Sequence, residues 1–172
     1  TRRDLKMDII YPEDQERLYP CIVWICGGAW VQMDKSAHLA YLTELARTGF
    51  VVASVEYRTS NEGPYPMPLI DIKAGIRYLR AHSERFRIDP EHFGVMGESA
   101  GGYLTAMAAL ANDPAFDVGD YTDYSSRVQA ACPWYPPTDI SGFPYNSPVE
   151  AAASPESLML GMNVMLQKEE AL

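Results

Sequence analysis

Residues 93–102, FGVMGESAGG, join a short apolar run to a stretch of small residues that continues to Ala111. An apolar run that ends in glycine is typical of a buried strand, and the stretch from Ala100 to Ala111 is typical of a helix. Between them, Gly97 to Gly101 fit the pattern G-x-S-x-G. The sequence therefore predicts a strand, a tight turn that carries Ser99, and a helix.

The small residues around Ser99 are what such a turn requires. The two arms of a tight strand-to-helix turn come close together, so bulky side chains at Gly97, Gly101 or Gly102 would collide. The turn lifts the hydroxyl above the sheet edge, and the following helix points its first N–H groups at the place where an oxyanion would form. Ser99 is therefore the candidate nucleophile. The plainer interpretation is a Gly-Ser turn used only for packing.

Strands and helices alternate along the rest of the chain. Strands are predicted over residues 5–11, 21–25, 50–55, 93–96 and 128–132, and helices over 39–46, 69–79 and 100–111. Because parallel neighbouring strands need a crossover connection, this order predicts a mostly parallel sheet with helices on both faces. The fold class is α/β, with residues 1–172 in a single domain and no dividing linker.

The pattern weakens after Asp139. Residues 140–149 are rich in Pro, Gly and Ser, and Ser154 followed by Pro155 is typical of a helix start. Apolar residues then recur at the spacing of one helical face: Leu158, Met159, Met162, Met165 and Leu166. This stripe is most simply a helix packed on the body. The alternative is that residues 140–172 form a lid or cap over a substrate pocket.

A second glycine pair, Gly27-Gly28, follows the strand over residues 21–25. Acyl transfer needs at least two N–H donors aimed at the developing oxyanion, and glycine lets a backbone approach that closely. Gly28 and Ala29 are therefore candidate oxyanion donors, with Ala100 as a third. Taken alone, a glycine pair after a strand is most simply a turn.

These motifs resemble those of the α/β-hydrolase superfamily, most closely its carboxylesterase branch of hormone-sensitive-lipase-like and feruloyl or acetylxylan esterase-like proteins. The matching segments are Gly27 to Trp30 as the oxyanion loop, Glu56 to Arg58, Asp71 to Ala74, and Gly97 to Gly102 as the nucleophile elbow. The resemblance covers residues 5–139. It implies an α/β-hydrolase fold and hydrolysis of small or polysaccharide-linked acyl esters through an acyl-enzyme. No metal or organic cofactor is predicted.

The chain departs from the family pattern at two places. Cys26 stands where relatives carry a histidine before the two glycines. The family's triad runs Ser, acid, His along the chain, whereas the three histidines all precede Ser99: His38, His82 and His92. The resemblance therefore implies two further strands beyond residue 172 that bear the acid and the histidine. Residues 1–172 are expected to be a partial hydrolase domain.

Four residues within the chain are alternatives for the missing acid and base. His82 and His92 are expected on the order of 20 Å from Ser99, at the opposite edge of the sheet. His38 is expected on the same side as Ser99, although a solvated helix-start side chain is the simpler interpretation. Asp139 follows a strand at the functional edge, where it could equally anchor a loop or lid.

The composition excludes several classes of partner. Lys and Arg number 14 against 23 Asp and Glu, a net charge of −9 without a basic run, which disfavours nucleic acid. The apolar stretches are shorter than the ~20 residues that span a bilayer, so no membrane association is predicted. The cysteines, Cys21, Cys26 and Cys132, lack CxxC or Cys/His spacing. They favour buried reduced thiols and a cytoplasmic address, although a removed signal peptide would leave no trace.

Three functions remain open. The first is a serine carboxylesterase acting on a small-molecule ester, which the Gly-Gly-Ala-Trp loop favours. The second is a non-catalytic protein of the same fold that binds a ligand or partner in the former pocket. The third is a serine peptidase of prolyl-oligopeptidase type. In any of them, the strand over residues 128–132 would be an open sheet edge through which the segment could self-associate.

Overall fold

The computed structural model describes residues 3–14 and 16–171. In this part of the chain the strands are β1 Met7–Ile10, β2 Tyr19–Ile25, β3 Val51–Val55, β4 Ile88–Glu98 and β5 Ala130–Trp134. The α-helices are α1 Leu39–Arg47, α2 Met67–Ala81, α3 Ser99–Leu110, α4 Pro148–Ala152, α5 Pro155–Leu160 and α6 Lys168–Ala171. Short 3₁₀ turns lie at Pro114–Phe116 and Ile140–Gly142.

The described strands form one sheet in the order β1-β3-β2-β4-β5. Strand β1 runs antiparallel to β3, and the other three pairs are parallel. Ile25 at the end of β2 pairs with Gly97 of β4, and Glu98 pairs with Trp134 of β5. The carboxyl ends of these three strands therefore meet at one edge of the sheet. The predicted α/β class and mostly parallel sheet are confirmed.

Helices cover both faces of the sheet, and β2 shows how its sequence serves both. Val23 and Ile25 belong to the larger core, which the sheet forms with α2 and α3. Trp24 and Cys26 belong to the smaller core, which includes Leu42 of α1. Successive side chains of a strand point to opposite faces, so a continuous apolar run fits a strand that is buried on both. Strand β3 is buried along its whole length for the same reason.

Every predicted strand and helix differs from its observed bounds by at least one residue, and the largest difference is at the start of β4. Strand β4 begins at Ile88 rather than at residue 93, because the polar segment 89–92 hides its first half from a hydrophobic pattern. Strand β5 lies two residues later than predicted, at Ala130–Trp134. Met67 and Ala81 extend α2 by two residues at each end.

The prediction of one helical face from Leu158 to Leu166 is wrong. Helix α5 ends at Leu160, and Gly161 follows with a left-handed φ of 70°, which terminates the helix. Met159 of the predicted face is buried, and so is Val164, which lies outside that face. Leu166, which the pattern predicts to pack, is 68% exposed. The segment is nevertheless attached to the body, because the N–H of Tyr65 donates to the carbonyl of Met159 at 2.6 Å. The assignment of residues 140–172 as a lid or cap stays a prediction.

Strand β5 has an exposed edge in the described part of the chain. It pairs with β4 on one side only, and its first four residues are exposed. Cys132 is one of them, so the prediction that all three thiols are buried is wrong for Cys132 and holds for Cys21 and Cys26. A separate search for membrane spans over residues 3–14 and 16–171 finds no helix that is long and apolar enough to cross a bilayer.

Helix α2 carries two buried cations that hold the segment after α3. The side chain of Arg77 is fully buried, and its guanidinium donates to Asp117 at 2.8 Å and to the carbonyl of Val118 at 2.6 Å. The side chain of Lys73 is 1% exposed, and its Nζ lies 3.8 Å from Asp117 and 3.0 Å from the hydroxyl of Ser126. One carboxylate therefore faces two buried positive charges.

We predict that Asp117→Asn destabilises the fold, because it leaves both cations without their counter-charge. The expected loss is about 3 kcal/mol, the lower end for a broken buried ion pair, since the Asp117 side chain is 32% exposed. Urea unfolding of the full-length gene product measures it. Asp123→Asn, at an exposed position of the same acidic segment, is the matched control. Equal stability of the two variants would contradict the prediction.

Candidate active site

Ser99 lies at the turn where β4 passes directly into α3. Its φ is +51°, a left-handed conformation that is rare for a residue with a side chain. A Cβ on Gly97 would lie 2.4 Å from the carbonyl oxygen of Ile25, and one on Gly101 would lie 2.1 Å from the same atom. A Cβ on Gly102 would lie 2.5 Å from the carbonyl oxygen of Trp134. The turn is therefore possible only with these glycines.

The loop after β2 passes over Ser99. A Cβ on Gly27 would lie 3.2 Å from the Cβ of Ser99, so a side chain at this position would crowd Ser99. The next three residues all have positive φ: Gly28 132°, Ala29 51° and Trp30 59°. At Gly28 only glycine fits, because a Cβ there would lie 2.2 Å from the carbonyl oxygen of Gln32. The loop therefore turns sharply at the carboxyl edge of the sheet.

The three predicted oxyanion donors lie at this edge, and their backbone N–H groups are available to a ligand. Among the residues that the structure describes, the N–H groups of Gly28 and Ala29 find no hydrogen-bond acceptor. Ala100 is in the first turn of α3, where an N–H has no intrahelical partner. The hydroxyl of Ser99 likewise has no hydrogen-bond partner among these described residues. The nucleophile and donor roles stay predictions, and the groups they need are available.

Tyr57 fixes the start of the oxyanion loop, a role that the sequence did not suggest. Its hydroxyl, fully buried, donates to the carbonyl of Cys26 at 2.9 Å. The carbonyl of Trp30, at the other end of the loop, accepts from the N–H of Ser60 at 2.8 Å. The indole of Trp30 is buried and packs edge-on against Tyr103 at 5.6 Å between ring centres. The sequence signals for Tyr57 are its place two residues after the third strand and its membership of the matching segment Glu56 to Arg58.

An ion pair beside this loop joins two other segments of the α/β-hydrolase resemblance, Glu56 to Arg58 and Asp71 to Ala74. The guanidinium of Arg58 binds the carboxylate of Asp71 through Nε at 2.8 Å and Nη2 at 2.6 Å. The backbone N–H of Arg58 donates to the same carboxylate at 2.9 Å. This fork-shaped pairing fixes the chain after β3 to the first turns of α2.

Cys26 is a buried thiol, as the apolar run before it predicts. Only 2% of the residue is exposed, and burial raises the pKa of its thiol to about 11. A protonated thiol is neither a nucleophile nor a metal ligand. Cys26 therefore supports the loop by packing, and Tyr57 holds the loop through the carbonyl of Cys26.

Glu98, which precedes Ser99, accepts hydrogen bonds from two side chains. Nε2 of His38 lies 2.8 Å from its Oε1, and the hydroxyl of Tyr135 donates to its Oε2. Gly27 lies against the same side chain, since a Cβ on Gly27 would be 3.6 Å from Cγ of Glu98. The bond from Tyr135, followed by the one from His38, lowers the pKa of Glu98 below its ordinary value. The structure thus places His38 at the functional edge but bound to Glu98 rather than to Ser99.

The other candidate acid and bases lie away from the hydroxyl. Nδ1 of His82 is 2.8 Å from the carbonyl of Tyr78, and Nδ1 of His92 is 2.8 Å from Asp89. Both histidines lie near the amino end of β4, opposite to Ser99. Asp139 is exposed and accepts from the hydroxyl of Ser141 at 2.8 Å, so it binds within its own turn.

A profile of the family described as BD-FAE matches residues 7–172. The chain belongs to the BD-FAE family. Among curated proteins, the probable carboxylic ester hydrolase LipM of Mycobacterium tuberculosis is 37% identical over 119 residues, 67% of this chain and 27% of LipM. Esterase LipQ of the same organism is 33% identical over 128 residues, 73% of this chain and 30% of LipQ. The chain thus spans less than a third of the length of each relative.

Solved structures share the fold of this BD-FAE chain. A bifunctional GH43-CE protein of Bacteroides eggerthii superposes with a TM-score of 0.85 at 31% identity, over 94% of this chain and 23% of that one. A truncated carbohydrate esterase from gut microbiota gives 0.77 at 30% identity, over 90% and 59%. Esterase 2 of Thermogutta terrifontis, at 24% identity, gives 0.74 over 94% and 60%, a likeness of fold. The resemblance to the esterase branch of the α/β-hydrolases is confirmed.

We predict that Cys26 reacts slowly with iodoacetamide in the folded protein. With a pKa of about 11, roughly a thousandth of the thiol is ionised at pH 8, and burial limits access to it. Peptide mapping by mass spectrometry after timed alkylation measures the rate at Cys26. The control is the same thiol in urea, where the pKa returns to its ordinary value. Equal rates in the folded and unfolded protein would contradict the prediction.

Proposed function

We propose that this BD-FAE chain carries the nucleophile and oxyanion hole of a serine carboxylesterase. Its substrates are small or polysaccharide-linked acyl esters, which react through an acyl-enzyme intermediate. The observation that carries the proposal is the close approach of the loop at Gly27 to Ser99, at a turn that holds Ser99 in a left-handed conformation. This is the strained strand-to-helix turn on which a nucleophilic serine is presented.

In the proposed reaction, the Ser99 hydroxyl oxygen attacks the ester carbonyl carbon while a general base takes the hydroxyl proton. The carbonyl oxygen becomes an oxyanion and accepts hydrogen bonds from the N–H groups of Gly28, Ala29 and Ala100. The tetrahedral intermediate collapses, the alcohol leaves with the proton, and the acyl group stays on Ser99. Water then repeats the attack and releases the acid.

The acid and the base of this proposal are expected beyond residue 172, in the order that the family follows along its chain. The contacts of His38, His82 and His92 within the described chain support this assignment, since each ring nitrogen with a recorded partner binds a group other than Ser99. The names of the relatives support the substrate class. LipM is a probable carboxylic ester hydrolase, and one structural neighbour is a carbohydrate esterase.

Ser99→Ala tests the proposal in the full-length gene product. We expect it to lower the rate of p-nitrophenyl acetate hydrolysis by a factor of at least about 10³, because the oxyanion donors alone supply little of the rate. Ser83→Ala, at the opposite edge of the sheet, is the matched control and should leave the rate unchanged. A fluorophosphonate should form one adduct, on Ser99. A tenth or more of the rate remaining in Ser99→Ala would point to another nucleophile, and no activity in the parent protein would favour a binding function.

We further propose that residues 1–172, produced alone, self-associate through the exposed edge of β5 and hydrolyse no ester. An exposed strand edge with apolar neighbours pairs with other chains. Light scattering measures the association. Ala131→Lys places a charge on this edge and should reduce it, whereas Ala153→Lys, at an exposed position away from the sheet, should not. A monodisperse monomer that hydrolyses p-nitrophenyl acetate above the buffer rate would refute both statements.

A further inference from the structure

The carboxylate of Glu98 joins three segments at the carboxyl edge of the sheet. Its side chain is 19% exposed, and its two oxygens bind partners that are distant along the chain. His38, at the start of α1, binds Oε1, and Tyr135, after β5, donates to Oε2. Gly27, after β2, lies against the same side chain, since a Cβ on Gly27 would be 3.6 Å from Cγ of Glu98. Glu98 itself ends β4, so each of its partners comes from a different neighbouring element.

The position of Gly27 connects this junction to the reacting groups. A Cβ on Gly27 would lie 3.0 Å from the carbonyl oxygen of Glu98 and 3.2 Å from the Cβ of Ser99, so the loop passes close to both residues. Gly28 and Ala29 follow it directly. Any shift of Gly27 relative to β4 would therefore carry the two candidate oxyanion donors with it.

The charge and the packing of the junction suit a fixed arrangement. An ionised carboxylate only accepts hydrogen bonds, and both the hydroxyl of Tyr135 and the ring of His38 donate to it. These bonds lower the pKa of Glu98, so the carboxylate stays ionised at neutral pH. His38 is held in place because its ring packs edge-on against the buried indole of Trp24 at 5.7 Å. Trp24 in turn packs edge-on against Trp134 at 5.6 Å.

We propose that Glu98 is a positioning residue for the reaction proposed above. Its carboxylate is held by His38 and Tyr135, and the side chain so held packs against Gly27 and keeps the oxyanion loop at its distance from Ser99. Oxyanion donors accelerate a reaction only when they already occupy the geometry of the transition state. The loss of Glu98 should therefore slow the chemical step and leave substrate binding nearly unchanged. This inference rests on the proposed esterase function.

The test compares kcat and KM of variants of the full-length gene product with p-nitrophenyl acetate. Glu98→Ala should lower kcat roughly tenfold to a hundredfold, at or below the effect of deleting one oxyanion donor, with KM within about twofold of the parent. Glu98→Gln keeps one acceptor oxygen and should recover part of the rate. Glu91→Ala, at an exposed glutamate near the other end of β4, is the matched control and should leave both constants unchanged.

A double-mutant cycle tests whether Glu98 acts through its partners. If it does, adding His38→Ala or Tyr135→Phe to Glu98→Ala should cost less than the two separate losses combined. Additive losses would assign the partners another role and overturn the junction. Thermal unfolding of each variant separates positioning from loss of fold. If Glu98→Ala does not fold, the nearly isosteric Glu98→Gln decides, and a kcat equal to that of the parent overturns the proposal.

The outcomes also separate this inference from the function on which it rests. Activity that survives Ser99→Ala would reject the esterase mechanism itself. Activity that is lost in Ser99→Ala but unchanged in Glu98→Ala would reject only the role of Glu98. A fall in kcat that tracks a lowered melting temperature would assign Glu98 a purely structural role and overturn the inference as well.

Discussion

The backbone contact between the first turn of α3 and the carboxyl ends of β2 and β5 governs the geometry of the site. Gly97 and Gly101 lie against the carbonyl of Ile25, and Gly102 lies against that of Trp134. These neighbours belong to a paired sheet, so they cannot move aside for a side chain without disturbing the strand pairing. The helix consequently starts directly on the sheet, and Ser99 takes a conformation that costs about 1 to 3 kcal/mol. The packing of the surrounding backbone compensates for this strain.

The oxyanion loop follows from the same contact. Because α3 abuts the carbonyl of Ile25, the residues after β2 leave the sheet directly above Ser99, and glycine at position 27 lets them touch it. Tyr57 holds the beginning of the loop from the side of β3 through the carbonyl of Cys26, and Glu98 lies against Gly27 from the side of β4. Two strands that flank β2 therefore fix one short loop. A chain segment with three consecutive positive φ angles is kept in place by this double attachment.

The sequence predicted the parts of the fold and site that depend on local backbone requirements. Continuous apolar runs located the central strands because burial on two faces demands them, and the glycines around Ser99 were visible because no other residue fits. The start of β4 was missed, since segment 89–92 is polar, and the helix predicted past Gly161 was wrong, since a single glycine ends it. The contact of Glu98 with His38 spans 60 residues along the chain. Strand order brings them together, and no local pattern encodes that order.

Placing a nucleophile and supplying its base are separate physical problems. The first concerns the backbone. In this chain, glycines allow the turn at Ser99, and the amide groups of Gly28 and Ala29 have no hydrogen-bond partner among the described residues. The second concerns one imidazole nitrogen, which can come from any segment that reaches the same edge; unrelated folds use different chain orders for it. His38 shows that nearness is not enough, because its ring lies at this edge but is packed on Trp24 and bound to Glu98. A base for Ser99 needs a nitrogen free of such a partner and facing the hydroxyl, which is a condition on geometry rather than on sequence position.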